Sequence, residues 1–121
     1  MDKQKLQLEI GLLHQRICCA LGDPTRLLIL YHLAEKAMIV NEIAEAMDIP
    51  QSSVSRHLRI LRDRNLVRSE RQGTAILYSL RDERIITALD IMREILSSQL
   101  HIEAQLSDTL SMNKNSNKPT N

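Results

Sequence analysis

Residues 41–80 decide the fold of this 121-residue chain, and they read NEIAEAMDIPQSSVSRHLRILRDRNLVRSERQGTAILYSL. Apolar residues at helical spacing predict one helix over Val40–Met47 and a second over Gln51–Arg64. Between the two stands Asp48-Ile49-Pro50, and a proline cannot continue a helix. A short support helix, a tight turn and a second helix with one buried face make up a helix-turn-helix. The sequence therefore predicts that motif here.

The second helix of the motif has a polar outer face. Val54, Leu58 and Leu61 recur at helical spacing, so we expect them to hold the helix to the core. Gln, Ser and Arg side chains hydrogen-bond base edges and phosphates, and the positive N-terminal end of a helix favours phosphate. We therefore predict DNA contacts from Gln51, Ser52, Ser53, Ser55, Arg56 and Arg59. His57 is included in that set, although a packed or a merely solvated histidine explains it equally well.

A hairpin is predicted to follow this helix. The strands Leu66–Arg71 and Ala75–Leu80 flank Gln72-Gly73-Thr74, where glycine favours a tight turn. A basic hairpin tip can lie against the DNA backbone or enter a minor groove, whereas the alternative is a plain edge hairpin. We predict contacts from Arg68, Arg71, Gln72, Gly73 and Thr74.

Charge is distributed unevenly along the chain. The formal net charge is only +1, but seven arginines stand between Pro50 and Arg81, against Asp63 and Glu70 alone. A local basic stripe on a nearly neutral chain is typical of a phosphate-binding face. A solvated helix face would carry the same charges, so the basic stripe indicates DNA binding only together with the helix-turn-helix motif beside it.

The flanks of the motif are predicted to be helical. An apolar stripe from Leu6 to Leu21 predicts a first helix that ends at Gly22, and Asp23-Pro24 predicts the start of a second. A last helix is predicted over Asp82–Leu106, followed by a disordered tail over Ser107–Asn121. The fold class is therefore mainly α with a β-hairpin wing, a winged helix-turn-helix in the order α-α-α-α-β-β-α. Residues 1–106 are expected to form one DNA-binding and dimerisation domain, and 107–121 the tail.

Excess apolar surface on the outer helices predicts a homodimer. More apolar residues recur there than one small core can cover, so a second subunit should cover the remainder. These residues are Leu6, Ile10 and Leu13 on the first helix and Ile85, Leu89, Met92 and Leu96 on the last.

Three separated runs of sequence resemble the ArsR/SmtB family of winged-helix repressors. They are Leu21–Leu30 (LGDPTRLLIL), Gln51–Leu58 (QSSVSRHL) and Leu61–Val67 (LRDRNLV), and the closing Arg71–Leu80 (RQGTAILYSL) is similar to the family's wing. The resemblance covers about Ile17–Leu80. It implies a homodimer that sits on double-stranded operator DNA and dissociates when an inducer binds.

Other classes of protein are disfavoured by composition. No apolar run is long enough for a signal peptide or a membrane span, which predicts a cytoplasmic protein without a membrane partner. A winged-helix module that binds proteins should expose apolar residues on the helix 51–64, where this chain has Ser, Gln and Arg. A thiol enzyme is unsupported because there is no Cys-x-x-Cys motif. We expect neither catalysis nor a required cofactor.

The inducer site is left open by the sequence. The family's thiolate box would fall at Met38–Ala44, which has no cysteine. Another family site uses ligands across paired last helices, where Asp90 and His101 stand about 16 Å apart along the helix and could meet only across a dimer. The adjacent Cys18 and Cys19 are the better candidates for a metal or metalloid.

Three interpretations of these two thiols stay open. They could bind trivalent arsenic or antimony, although inorganic As(III) usually takes three sulfurs, so a partner subunit or an organoarsenical would supply the third bond. They could act as a thiol-redox or reactive-sulfur sensor. They could also be purely structural, because cysteine packs well as a small hydrophobe.

Overall fold

The computed structural model describes residues 2–116, which form helices and a small antiparallel sheet. The first predicted helix is α1 (Lys3–Leu13), a π-helical turn (His14–Cys18) and the short α2 (Cys19–Leu21). The other elements follow in the order α3 (Pro24–Glu35), β1 (Met38–Ile39), α4 (Val40–Met47), α5 (Gln51–Asp63), β2 (Val67–Gln72), β3 (Ala75–Leu80) and α6 (Arg84–Ser116). The predicted winged helix-turn-helix is confirmed.

Helix α3 begins where the sequence predicts. The Asp23 carboxylate accepts hydrogen bonds from the backbone N–H groups of Thr25 (2.8 Å) and Arg26 (3.2 Å), and Pro24 occupies the first turn. Burial alone would raise the pKa of Asp23, but these two backbone hydrogen bonds bring it below its usual value. An ionised cap at this end also suits the positive end of the helix.

The turn between α4 and α5 is tight because its backbone takes unusual angles. Asp48 adopts a left-handed conformation with φ of 53°, which ends α4. Pro50 is extended, and its carbonyl accepts the backbone N–H groups of Ser53 and Val54 to start α5. Val54, Leu58 and Leu61 are then fully buried, as predicted from their spacing.

The sheet has three strands in the order β1-β3-β2, one more than predicted. Met38 pairs with Tyr78 and Ile39 with Leu77, so the two residues before α4 form a short strand. In the wing, Gln72 pairs with Ala75, which leaves Gly73-Thr74 as a two-residue turn. Gly73 has φ of 63°, as a hairpin turn with glycine at its first central position requires.

The described part of the chain divides into two compact units, residues 2–86 and 87–116. The first contains the helix-turn-helix and the wing. Its core is aliphatic and includes Ile29, Leu30, Ile43, Leu58, Leu61 and Val67. No helix in residues 2–116 combines the length and the hydropathy that a membrane span needs.

Helix α6 differs from the prediction in where it ends and in how many of its predicted dimer residues are exposed. It runs to Ser116 because no glycine or proline interrupts it and Leu106 and Leu110 continue its apolar spacing. The prediction of a disordered tail is therefore wrong for residues 107–116, which are helical. Residues 117–121 lie outside the described part. Leu89 is buried and Ile85 half-buried, so only Met92 and Leu96 of the four residues predicted for the dimer are exposed on α6.

Candidate nucleic-acid interface

Helix α5 has one buried and one polar face, as the motif requires. Opposite the buried residues, most of the predicted DNA contacts are exposed, namely Gln51, Ser52, Ser55, Arg56 and Arg59. Ser53 is half-buried, because it lies beside Val54 in the first turn. The exposed set can offer amide, hydroxyl and guanidinium donors to one ligand surface, which is the chemistry that base edges and phosphates accept.

The N-terminal end of α5 is open to an anion. Its cap residue, Pro50, offers no side-chain hydrogen bond, and the first turn has no acidic residue. The unsatisfied N–H groups and the helix dipole therefore leave a partial positive charge beside Gln51 and Ser52. A phosphate would neutralise that charge.

The exposed arginines differ in what their side chains contact. Arg62 lies 3.8 Å from the Asp63 carboxylate, and Arg68 donates to the Arg81 carbonyl at 3.3 Å. Within residues 2–116, no carboxylate pairs with Arg56, Arg59 or Arg71. These three guanidiniums are therefore available to an external anion.

The tip of the wing is fully exposed. Arg71 and Gln72 end β2, Gly73 and Thr74 form the turn, and Arg68 lies further back on the same strand. Two of these side chains are cationic, and the two-residue turn keeps the tip narrow. The tip is suited in charge and width to the backbone or the minor groove of a duplex.

His57 differs from its predicted neighbours because it faces inward. It is only 9% exposed, and its Nδ1 lies 3.3 Å from an Nη of Arg26. The structure thus favours the packed histidine over a phosphate contact, since position 57 shares the inner face with Val54, Leu58 and Leu61. Sequence periodicity places His57 at the edge of that face, where a polar side chain is expected to point outward.

The two cysteines are free and exposed. The sulfur of Cys19 lies 3.8 Å from Nε2 of His14, a contact that the sequence did not predict. A π-helical turn creates it, because the Cys19 N–H bonds the His14 carbonyl five residues back and so brings residue 19 beneath residue 14. Among the described residues, no three His, Cys, Asp or Glu side chains converge as a metal site would need.

The second candidate ligand pair, Asp90 and His101, lies on α6. The Asp90 carboxylate accepts a hydrogen bond from Arg93 at 3.2 Å, and His101 is exposed further along α6. Binding of a metal by Asp90 and His101 across a dimer stays a prediction.

Comparison with known proteins places the same region in a regulatory family. Residues 23–69 match the sequence signature described as "Bacterial regulatory protein, arsR family". The HTH-type transcriptional regulator NmtR of Mycobacterium tuberculosis is 40% identical over 89 residues, which cover 74% of this chain and 72% of that protein. KmtR of the same organism is 48% identical over 54% of this chain. The arsenical resistance operon repressor of Bacillus subtilis is 40% identical, also over 54% of this chain. The matched region spans 50% and 64% of the lengths of these last two relatives.

Solved structures share the fold. A homodimeric winged helix-turn-helix DNA-binding domain from Mycobacterium bovis has a TM-score of 0.69 at 26% identity, over 83% of this chain and 91% of that one. NolR from Sinorhizobium fredii has a TM-score of 0.67 at 32% identity, over 78% of this chain and 93% of that one.

Proposed function

This chain belongs to the ArsR/SmtB family of winged helix-turn-helix transcriptional regulators, and on that premise we propose that it is a homodimeric repressor released from operator DNA by an inducer. The observation that carries the proposal is the division of α5 into two faces. The aliphatic side chains Val54, Leu58 and Leu61 are buried on one face. Gln51, Arg56 and Arg59 are exposed on the other. The proposed partner is double-stranded DNA in the cytoplasm, and we expect DNA binding to need no cofactor and no catalysis.

The proposed contacts divide by type. Arg56 and the first turn of α5 are assigned to base edges in the major groove, because a recognition helix inserts its N-terminal part there. Arg68, Arg71 and the turn Gly73-Thr74 are assigned to the DNA backbone. His57 is left out, since its imidazole is engaged by Arg26.

The homodimer is supported by exposed apolar side chains on α1. Leu6, Ile10 and Leu13 are 39–51% exposed in the single chain and recur along one helix face, and a continuous apolar surface of this kind marks an interaction site. A two-fold dimer would also present two recognition helices to half-sites about one helical turn apart. The similar domain from Mycobacterium bovis is itself described as homodimeric.

The inducer is assigned to the thiols Cys18 and Cys19. Neither side chain is buried in the single chain, which weakens the purely structural interpretation. Thiolates bind soft metals and metalloids strongly, and one relative is named as an arsenical resistance operon repressor. A trivalent arsenical or antimonial, bound by both thiols, is therefore the proposed inducer, and reactive sulfur is the second candidate.

One titration tests both halves of this proposal. The protein is bound to a fluorescent duplex of its own promoter, with a scrambled duplex as the control, and anisotropy is recorded as As(III), Sb(III), methylarsenite, Zn(II), Cd(II) or polysulfide is added. We expect tight binding to the promoter alone and release by trivalent arsenicals. Cys18→Ser and Cys19→Ser should bind DNA but resist release. Equal affinity for the two duplexes would refute sequence-specific binding, and equal release of all three proteins would refute the thiol site.

A further inference from the structure

A single side chain links the end of α2 to the inner face of α5. Arg26, half-buried on α3, donates from Nε to the Ala20 carbonyl at 2.6 Å and from one Nη to the Cys19 carbonyl at 3.4 Å. Its other Nη lies 3.3 Å from Nδ1 of His57. One planar guanidinium therefore contacts both the helix end that contains Cys19 and the helix that carries the proposed DNA contacts.

The chemistry of these contacts fixes their direction. The guanidinium, which can only donate, supplies a donor to the Ala20 carbonyl near the end of α2. The Cys19 carbonyl already accepts the backbone N–H of Gly22 at 3.3 Å and gains Arg26 as a second donor. The same limit means that a hydrogen bond between Arg26 and His57 requires Nδ1 of His57 to accept, which is possible only in the tautomer with its proton on Nε2.

Cys19 lies at the other end of this chain of contacts. Its sulfur faces Nε2 of His14 at 3.8 Å, while its carbonyl accepts from Arg26. Cys18 has an exposed sulfur, but no contact of this kind connects it to α5 in the described residues.

We propose that Arg26 is the positioning residue that couples occupation of the Cys19 sulfur to His57 on α5. The inference rests on the proposed function, in which the thiols sense the inducer, and it assigns the coupling to Cys19 with His14 as its partner. Any displacement of residue 19 moves a carbonyl bound to Arg26. Because the same guanidinium also contacts Nδ1 of the buried His57, a shift of the guanidinium is passed on to the imidazole.

Such coupling becomes regulatory only if the two arrangements of α5 differ in DNA affinity. An effector changes the affinity for DNA only if the effector itself binds one of the two states more tightly than the other. The change in affinity is typically about 5- to 150-fold. The outer face of α5 lies opposite His57, so a shift of the imidazole changes the placement of Arg56 and Arg59. The relay from sulfur to His57 can nevertheless be tested without DNA.

The test follows the imidazole of His57 by NMR in the full chain labelled with 15N-histidine. Cys18→Ser leaves Cys19 as the one thiol, and iodoacetamide alkylates it with loss of iodide and a proton. The His57 signals are identified by their loss in His57→Asn. We expect the Nε2–H tautomer before alkylation, a shift of the His57 signals after it, and no such shift when Arg26→Gln is added. The matched control, Cys19→Ser with Cys18 alkylated, should leave the His57 signals in place.

Two results would overturn the relay. One is a His57 signal that ignores alkylation of Cys19, and the other is an equal shift with and without Arg26. If Arg26→Gln does not fold, Arg26→Lys provides the same comparison, because an ammonium cannot span the three acceptors and should reduce the shift at least about twofold. If the His57 shift follows the prediction while alkylation leaves operator affinity unchanged, the relay stands and the thiol-release part of the proposed function fails.

Discussion

Individual arginines in this chain have different roles according to what their guanidinium groups contact. Arg26 bonds two helix-end carbonyls and a buried imidazole, so it belongs to the framework. Arg56 and Arg71 are exposed and face no carboxylate in the part of the chain that the structure describes. All of these arginines carry the same formal charge, so their hydrogen-bond partners distinguish a structural arginine from one that is free to bind DNA. We therefore expect Arg56 and Arg71 to be available for DNA.

Asp82 allows a prediction about pH. Hydrogen bonds from the Arg84 side chain and backbone lower the pKa of Asp82 from its usual 3.8 to about 2. An ionised Asp82 therefore stabilises the folded state fully above about pH 4, and this contribution is lost as pH falls through about 2. Asp82→Asn should lower Tm at pH 5 to 6, and the difference from wild type should shrink towards pH 2.

Thermal denaturation followed by circular dichroism measures this difference. Glu83→Gln removes the neighbouring carboxylate and serves as the control for net charge. A gap between wild type and Asp82→Asn that stays constant from pH 6 to 2 would show that the Asp82–Arg84 pair has no such role.

Single residues also show where the sequence was insufficient. The caps Asp23 and Pro24 were predictable because their signals are local. His57 was not, because a histidine at the edge of an apolar face can point either way until its neighbours are known. His14 escaped notice because its partner is five residues away, a spacing that brings side chains together in a π-helical turn but not in an α-helix.

Among the elements, we expect α5 and the wing to make different kinds of DNA contact. Arg71 lies near the two-residue turn of the wing and Arg68 further back on β2, and neither lies on a helix whose buried face would direct it at a base. We assign the wing to the DNA backbone, which supplies affinity without sequence information.

Arg71→Ala tests that assignment. Loss of one phosphate contact should weaken binding to promoter and scrambled duplexes alike, and it should reduce the slope of log affinity against log salt by about 1. Fluorescence anisotropy at several salt concentrations gives both quantities. A selective loss of promoter binding, with an unchanged slope, would instead indicate that the wing reads bases.

Elements were predictable where they are long and periodic. The helices at 40–47 and 51–63 follow their apolar spacing, and the two wing strands flank the turn glycine Gly73. The two-residue β1 is too short for any periodicity, and its pairing with β3 depends on a strand far along the chain. The extension of α6 to Ser116 was missed because a polar composition suggested disorder, whereas Leu106 and Leu110 continue the helical spacing.

At the scale of the whole molecule, exposed apolar helix faces indicate association. We expect a dimer in sedimentation velocity at micromolar concentration. Ile10→Lys places a charge on the exposed apolar face of α1 and should raise the dimer dissociation constant by about tenfold or more, the equivalent of about 1.4 kcal/mol. Gln7→Lys, at an exposed polar position on the same helix, is the matched control. A monomeric wild type, or equal effects of the two lysines, would refute an interface on α1.

We propose that the outer face of α5 reads operator DNA, and Arg56→Ala removes the guanidinium assigned to a base edge. Anisotropy titration with the promoter duplex should show a loss of about 1–3 kcal/mol, because an arginine that contacts a base is worth about that much. Arg93→Ala removes the same charge from α6 and should leave affinity nearly unchanged. Wild-type affinity in Arg56→Ala, or an equal loss in both variants, would contradict the account.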